Sequence, residues 1–256
     1  MRNLIAFTKK EFLEQIRTKK IIILGMLFLF FGILNPLTAK LTPMILEMLS
    51  ESMENSGIVI TTAEITALDS WMQFFKNLPV VLIVFVLMES TAFSKEYQSG
   101  TLTLVLTKGF ERYKVVVSKI VVMVLLWTFG YLVYFAVTYL YNEYFWDNSI
   151  ASNLFFSVLS WWIFGVFVIS IFILVSVNFE SNGSALALTG LVVFGLYFIS
   201  FIPKLIRYLP IVLTDGNSLT YGIESINYYI PGLVITICLI AIVIIFSVIR
   251  FNKKKI

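Results

Sequence analysis

A chain of 256 residues that is 59% hydrophobic and 13% charged, with a net charge of +4, lacks the surface of a water-soluble domain, which carries roughly a quarter charged residues. With no His and a single Cys, Cys238, it excludes imidazole chemistry, a disulfide framework and a cysteine-rich metal centre. No G-x-x-x-x-G-K-[ST] loop occurs, so an ATP-cradling site of that kind is excluded as well.

The first twenty residues, "MRNLIAFTKKEFLEQIRTKK", bring Leu4, Ile5, Phe12, Leu13 and Ile16 to one helical face, with Lys9, Lys10, Glu14 and Arg17 opposite. The pattern predicts an amphipathic helix over 1–20 lying in the membrane interface, its lysines toward anionic headgroups. The alternative is a solvated tail that only supplies topogenic charge. The apolar run 21–39 follows. It exceeds a signal-peptide core and has no A-x-A-like cleavage site, so this first span doubles as the targeting signal.

Residues 40–70 form the longest polar segment and are expected, like 203–229, on the external side. Within it Met44, Ile45, Met48, Leu49 and Met53 share a helical face, and Glu47, Glu51 and Glu54 fall largely elsewhere. The second apolar run, 78–93, is short for the ~20 residues that cross hydrocarbon, and it recruits upstream residues to make a span of 71–93 with Trp71 at headgroup level. Further spans are expected at 115–141, 152–177, 184–202 and 230–250. Between the last two, 203–229 carries Pro203, Pro210, Asp215, Gly216 and Gly222. Its apolar pieces are too short to cross, and short helices dipping back are expected if their free backbone groups are buried in protein. Cys238 reads as a small packing residue.

Lys and Arg set the direction. Six lie in the N-terminal segment, five in 94–119 and four at the C-terminus, which makes fifteen of nineteen on one side if the spans alternate. Basic loops stay in the cytoplasm, so both termini are expected there, and charge at the membrane face accounts for the net +4 without nucleic acid. The fold class is an all-α integral membrane protein of six transmembrane helices behind an interfacial helix, read as one transmembrane domain over 1–256.

The polar loop 94–114 between the second and third spans holds the most specific pattern. Gly100 breaks one helix, Thr101 caps the next, and Gly109 stops it, leaving "LTLVLT" as a short helix along the membrane face. Such an element suits docking, the alternative being a solvated connector. Glu89 is the one acid well inside an apolar run. It reads either as a functional intramembrane carboxylate or as an interfacial residue paired with Lys95. No acidic relay of a proton-driven carrier accompanies it. In 184–202 and just before it, Gly183, Gly190 and Gly195 with nearby Ser and Ala permit close helix approach.

The stretch "KEYQSGTLTLVLTKGFERYKVVVSK" (95–119) resembles the E-x-x-x-G-T-L…L-L…R…K signature between spans two and three of type-2 ABC transporter permeases. Glu96, Gly100, Thr101, Leu102, Leu104, Leu106, Arg112 and Lys119 stand at the matching positions. The chain departs from the pattern in having "KGFER" where a Pro-containing stretch is common and Ser118 where Gly is common. The resemblance implies a permease without its own motor, binding no cofactor itself. ATP and Mg would sit on a separate nucleotide-binding ATPase subunit, and a second permease subunit, identical or not, would complete a dimer. It implies that Glu96, Gly100 and Thr101 shape a coupling helix whose Leu102, Leu106 and Arg112 touch the ATPase, with the alternative that both leucines seat the helix on its own spans. It further implies that the first and fifth spans pack at the dimer interface and that the cargo is a peptide or peptide antibiotic. A path lined by Phe, Tyr, Met and aliphatic side chains suits a hydrophobic or amphipathic substrate, and helical spans without cysteine pairs suit export across a bacterial plasma membrane. A regulatory or scaffold protein on the same fold is the competing class. An intramembrane enzyme lacks most of the usual catalytic groups here.

Overall fold

In the computed structural model, residues 2–53, 64–107 and 109–254 are described, and every regular element among them is helical. Among the described residues, six helices are long and apolar enough to cross a membrane. The chain opens with α1 (Arg2–Arg17) and turns at Thr18–Lys19 into α2 (Lys20–Met53). Lys19 takes a φ of 58° there, a left-handed conformation uncommon outside glycine, and the helix restarts as Ile22 and Ile23 donate to its carbonyl. The apolar window of α2 covers Lys20–Ile45, so the start of the 40–70 segment is continuous with the first span. Residues 54–63 of that segment lie outside the described residues.

The second crossing, Ala67–Gln98, is α3 (Ala67–Glu89) and α4 (Thr91–Gln98) joined through Ser90. Asp69 secures its start: its carboxylate accepts from the Thr66 backbone N–H at 2.9 Å, as in a capping box, while its own N–H donates to the Thr66 carbonyl. After α5 (Thr101–Thr107) come α6 (Arg112–Phe145), α7 (Leu154–Asn178) and α8 (Asn182–Ser200). The short α9 (Pro203–Ile206) and α10 (Gly216–Thr220) flank a 3₁₀ turn at Pro210–Thr214, and α11 (Ile226–Lys253) closes the chain.

The core gathers around α7, 72% of whose apolar window is buried, against 11% for α8. Trp71, Trp127, Trp161, Phe74 and Tyr134 are fully enclosed. Close helix contacts form where a side chain would not fit. A Cβ on Gly130 would collide with the Phe28 ring, and one on Gly165 with the Trp127 indole. Prolines inside the spans free backbone carbonyls one turn back, which hydrocarbon cannot solvate. For Pro36 the freed oxygen is that of Gly32, and the Thr138 hydroxyl donates to it at 3.0 Å. For Pro231 it is that of Asn227, where Arg207 Nη2 donates at 3.3 Å.

The first helix and the end of the last lie at one end of the bundle, where Glu11 of α1 meets Lys119 near the start of α6 at 2.8 Å. There Phe93 of α4 lies 6.4 Å from Phe251 of α11, and Arg112 donates to the Lys254 carbonyl. We call this the basic end. At the opposite end the 203–225 segment folds back into the helices. Ile211, Val212 and Leu213 are buried, Trp161 Nε1 donates to Thr214 O at 2.8 Å, and Tyr229 Oη donates to Asp215 O at 3.3 Å. The expected requirement of buried, satisfied backbone is met at these carbonyls.

Candidate functional site

At the basic end, α4 and α5 form a bent arm. Gly100 and Gly109, with φ of 67° and 82°, bracket α5, and nothing lies near the place of a Gly100 Cβ. Glycine is needed at Gly100 for its backbone conformation and not for space. Thr101 opens α5, its hydroxyl 2.9 Å from that of Ser99. Leu102 turns inward and is 2% exposed, whereas Leu104 is 62% exposed. Leu106 is half-buried against the core and Arg112 half-buried beside Lys254. Of the two leucines expected to meet a partner, Leu102 seats the arm on its own chain. The apolar side chain that α5 presents outward is Leu104.

The arm is fastened from behind by buried charge. Lys119 of α6, 2% exposed, reaches Glu11 of α1 at 2.8 Å, Glu96 of α4 at 2.9 Å and the Ala92 carbonyl at 2.7 Å. Lys10 adds contacts to Glu96 at 2.6 Å, Glu11 at 2.9 Å and Glu14 at 3.3 Å. Burial works against the Lys10 charge, but the hydrogen bonds it donates to Glu96 and Glu11 outweigh it and hold its pKa above the ordinary lysine value. The Glu11, Glu14 and Glu96 carboxylates converge closely enough to surround a cation, and the Lys10 ammonium is in ion-pair contact with all three. One neutral contact completes the seam, the Thr8 and Ser118 hydroxyls at 2.9 Å.

Glu89 is fully buried just before the bend. Its partners are Gln15, donating at 2.7 Å, and Lys20 at 3.8 Å. The expected partner Lys95 instead pairs with Glu14 at 3.6 Å. The correction has a simple cause. The turn at Lys19 lays α1 across the basic end of the bundle, so Gln15 and Lys20 arrive from a direction that spacing along α3 and α4 cannot reveal.

Sequence reasoning singled out Glu96, Gly100, Thr101, Leu102, Leu106 and Arg112, and the structure gathers all six on or beside the arm. It missed Lys10, Glu11, Gln15 and Lys20 as members of the site. A readable signal existed for Glu11: it is an acid in a basic segment, one turn beyond Phe7, whose ring packs on Phe110 at 5.0 Å. The face of α1 away from the site keeps Ile5, Phe12, Leu13 and Ile16 partly exposed, an apolar stripe suited to lipid.

Gly183, Gly190 and Gly195 are not drawn into any such contact. The nearest atom to a Cβ at Gly183 is 3.8 Å away, and Gly190 and Gly195 have nothing within 4 Å. Within this chain the close packing falls to Gly32, Gly130, Gly165, Gly216 and Gly232 instead, and Gly190 and Gly195 of α8 stay open.

A family model described as "ABC-2 family transporter protein" matches residues 5–256. A curated relative from Bacillus subtilis (strain 168), named as the uncharacterized transmembrane protein YxlG, is 24% identical over 261 residues, covering 100% of this chain and 99% of its own length.

Proposed function

The chain belongs to the ABC-2 transporter family, and on that premise we propose that it is the permease subunit of an ATP-driven exporter, moved by a separate nucleotide-binding ATPase that docks on α5. The observation that carries this reading is the build of the arm. A short helix between two glycine hinges shows Leu104 outward, while Glu96 behind it is clamped by Lys10 and Lys119. Docking needs an exposed apolar anchor, and force transmission needs a support that does not yield.

In this reading the basic end faces the cytoplasm and the membrane is the plasma membrane. ATP and Mg stay on the partner. Closure of the ATPase pair pushes α5, and the ionic clamp passes that displacement to α1 and to the start of α6 together. A second permease subunit, identical or related, meets the open small face of α8. The spans offer aromatic and aliphatic linings, which suit a hydrophobic or amphipathic cargo such as a membrane-active peptide.

The test is co-purification with the ATPase and its hydrolysis rate. Wild type should hold the ATPase in stoichiometric complex. Leu104→Glu, which puts a charge on an already exposed position, should lower complex recovery and permease-dependent hydrolysis at least about tenfold, as loss of a buried apolar anchor does. Full binding and hydrolysis in both Leu104→Glu and Arg112→Glu would refute docking at α5. Failure of the wild type to bind any ATPase would refute the permease reading itself.

A further inference from the structure

Outside the arm, one basic cavity remains without a role. It lies between the last turn of α7 and the last turn of α11, has a volume of about 240 Å³, and is lined by Val177, Asn178, Arg250, Lys253 and Lys254. Three of its five lining residues are cations and none is an acid.

Arg250 and Lys254 are held in place, and the three cations are incompletely neutralised. Arg250 Nε donates to Asn178 Oδ1 at 2.8 Å, which orients the guanidinium and leaves its two terminal nitrogens for another acceptor. Lys254 Nζ donates to the Val177 carbonyl at 3.0 Å and stands 4.1 Å from the Tyr97 ring centre. Among the described residues, Glu180 is the one carboxylate in ion-pair contact with any of the three, 3.6 Å from Lys254.

Helix C-termini attract cations, so capping is the simpler explanation to weigh. Each helix end carries roughly half a negative charge. Two ends and Glu180 together offset about two of the three cations, and Arg112, bonded to the Lys254 carbonyl, adds another positive group beside them. A surplus of positive charge therefore remains. Burial pushes the Lys254 ammonium below its ordinary pKa despite Glu180, the direction expected of a cation that lacks enough anionic company.

We propose that this cavity binds the phosphate of an anionic phospholipid from the leaflet at the basic end. Position selects lipid over a soluble anion or an acidic stretch of the ATPase. The cavity sits where two spans end, at the height of headgroups, and the turns of α11 leading into it expose Ile245, Phe246 and Ile249 for the acyl chains. Arg250 supplies a forked pair of donors to the phosphate oxygens, and Lys253 supplies a mobile point charge. The inference rests on the chain spanning a membrane and is independent of transport.

The experiment uses the full chain in nanodiscs of equal phosphatidylglycerol and phosphatidylcholine, with retained lipid read by native mass spectrometry. Wild type should retain phosphatidylglycerol preferentially. Each basic group at an anionic membrane surface contributes roughly a fivefold factor, so R250Q/K253Q should reduce the preference at least about tenfold. The charge-preserving pair R250K/K253R should keep most of it, and K76Q/K204Q, an equal charge loss at the opposite end, should keep all of it. No preference in wild type, or an unchanged preference in R250Q/K253Q, overturns the proposal. So does displacement of the lipid by inorganic phosphate, which would make the site one for a soluble anion. Loss of ATPase binding in R250Q/K253Q with lipid preference intact would assign the cavity to the protein partner and likewise overturn it.

Discussion

The two ends of this bundle solve the same problem with different chemistry. Each must bring irregular backbone and polar side chains close to hydrocarbon. At the basic end the join is ionic: Lys10, Glu11, Glu96 and Lys119 link α1, α4 and α6 across separations of 86 and 108 residues. At the opposite end the donors that join the returning segment to the helices are neutral, apart from Arg207 on the Asn227 carbonyl. Trp71 Nε1 donates to Asn148 Oδ1 at 3.0 Å, Trp161 caps the Thr214 carbonyl, and Gly216 lets the returning segment press on Phe75. A neutral join loses one bond when one group is lost. A buried ionic join loses much more, because the groups left behind keep their charge without their partner. The ionic end therefore acts as one body, which suits the place where force is received, and the neutral end acts as a fitted seal.

The sharpest way to break this comparison is Lys119→Met. The substitution leaves Glu11 and Glu96 to share Lys10, and the expected loss is about 3–5 kcal/mol in denaturant or thermal unfolding in detergent. Adding Glu96→Gln restores the balance of one acid and one base, so the double variant should recover part of that loss, with a coupling of roughly 0.5–3 kcal/mol. If the two single losses simply add, the charges act independently and the basic end is no unit.

The opposite end should respond to shape. Gly216→Leu drives a side chain into the Phe75 ring, and overpacking of this kind costs about 1–3 kcal/mol. Gly190→Leu places the same side chain where no atom lies within 4 Å, and the isolated chain should change by less than about 0.5 kcal/mol. Equal responses at the two glycines would mean that the returning segment is not packed as described.

What could be read in advance follows the same division. Span count and helix type were legible, because hydrocarbon thickness imposes a length and composition that local sequence must meet. The hinges of the arm were legible too, since Gly100 and Gly109 need left-handed backbone and announce it. The partners of Glu89 were not. Lys95 is near in sequence, but Gln15 and Lys20 are brought in by a turn at Lys19, a residue with no turn signature of its own. The glycines of α8 were conspicuous as a cluster, while the glycines that admit neighbouring rings, Gly130 and Gly165, stand alone in apolar runs. Which helix face meets a neighbour is a tertiary fact, and in spans apolar on all sides the hydrophobic period that would reveal it is nearly absent.

The smallest effect isolates the neutral part of the ionic seam. Ser118 is fully buried beside Lys119, and its hydroxyl meets that of Thr8. Ser118→Ala removes this bond but leaves no orphan, because the Thr8 hydroxyl still donates to the Leu4 carbonyl at 3.0 Å. The loss should stay at the net value of one hydrogen bond, about 0.5–1.5 kcal/mol. Hydrogen exchange along α1 separates the two mechanisms better than overall stability does. Ser118→Ala should raise exchange near Thr8 alone, where one contact is gone. Lys119→Met should raise it along the whole helix, because α1 is then held by a charge cluster that no longer balances. If Ser118→Ala freed the helix as fully as Lys119→Met, the hydroxyl pair would be the fastening, and the buried charges merely its neighbours.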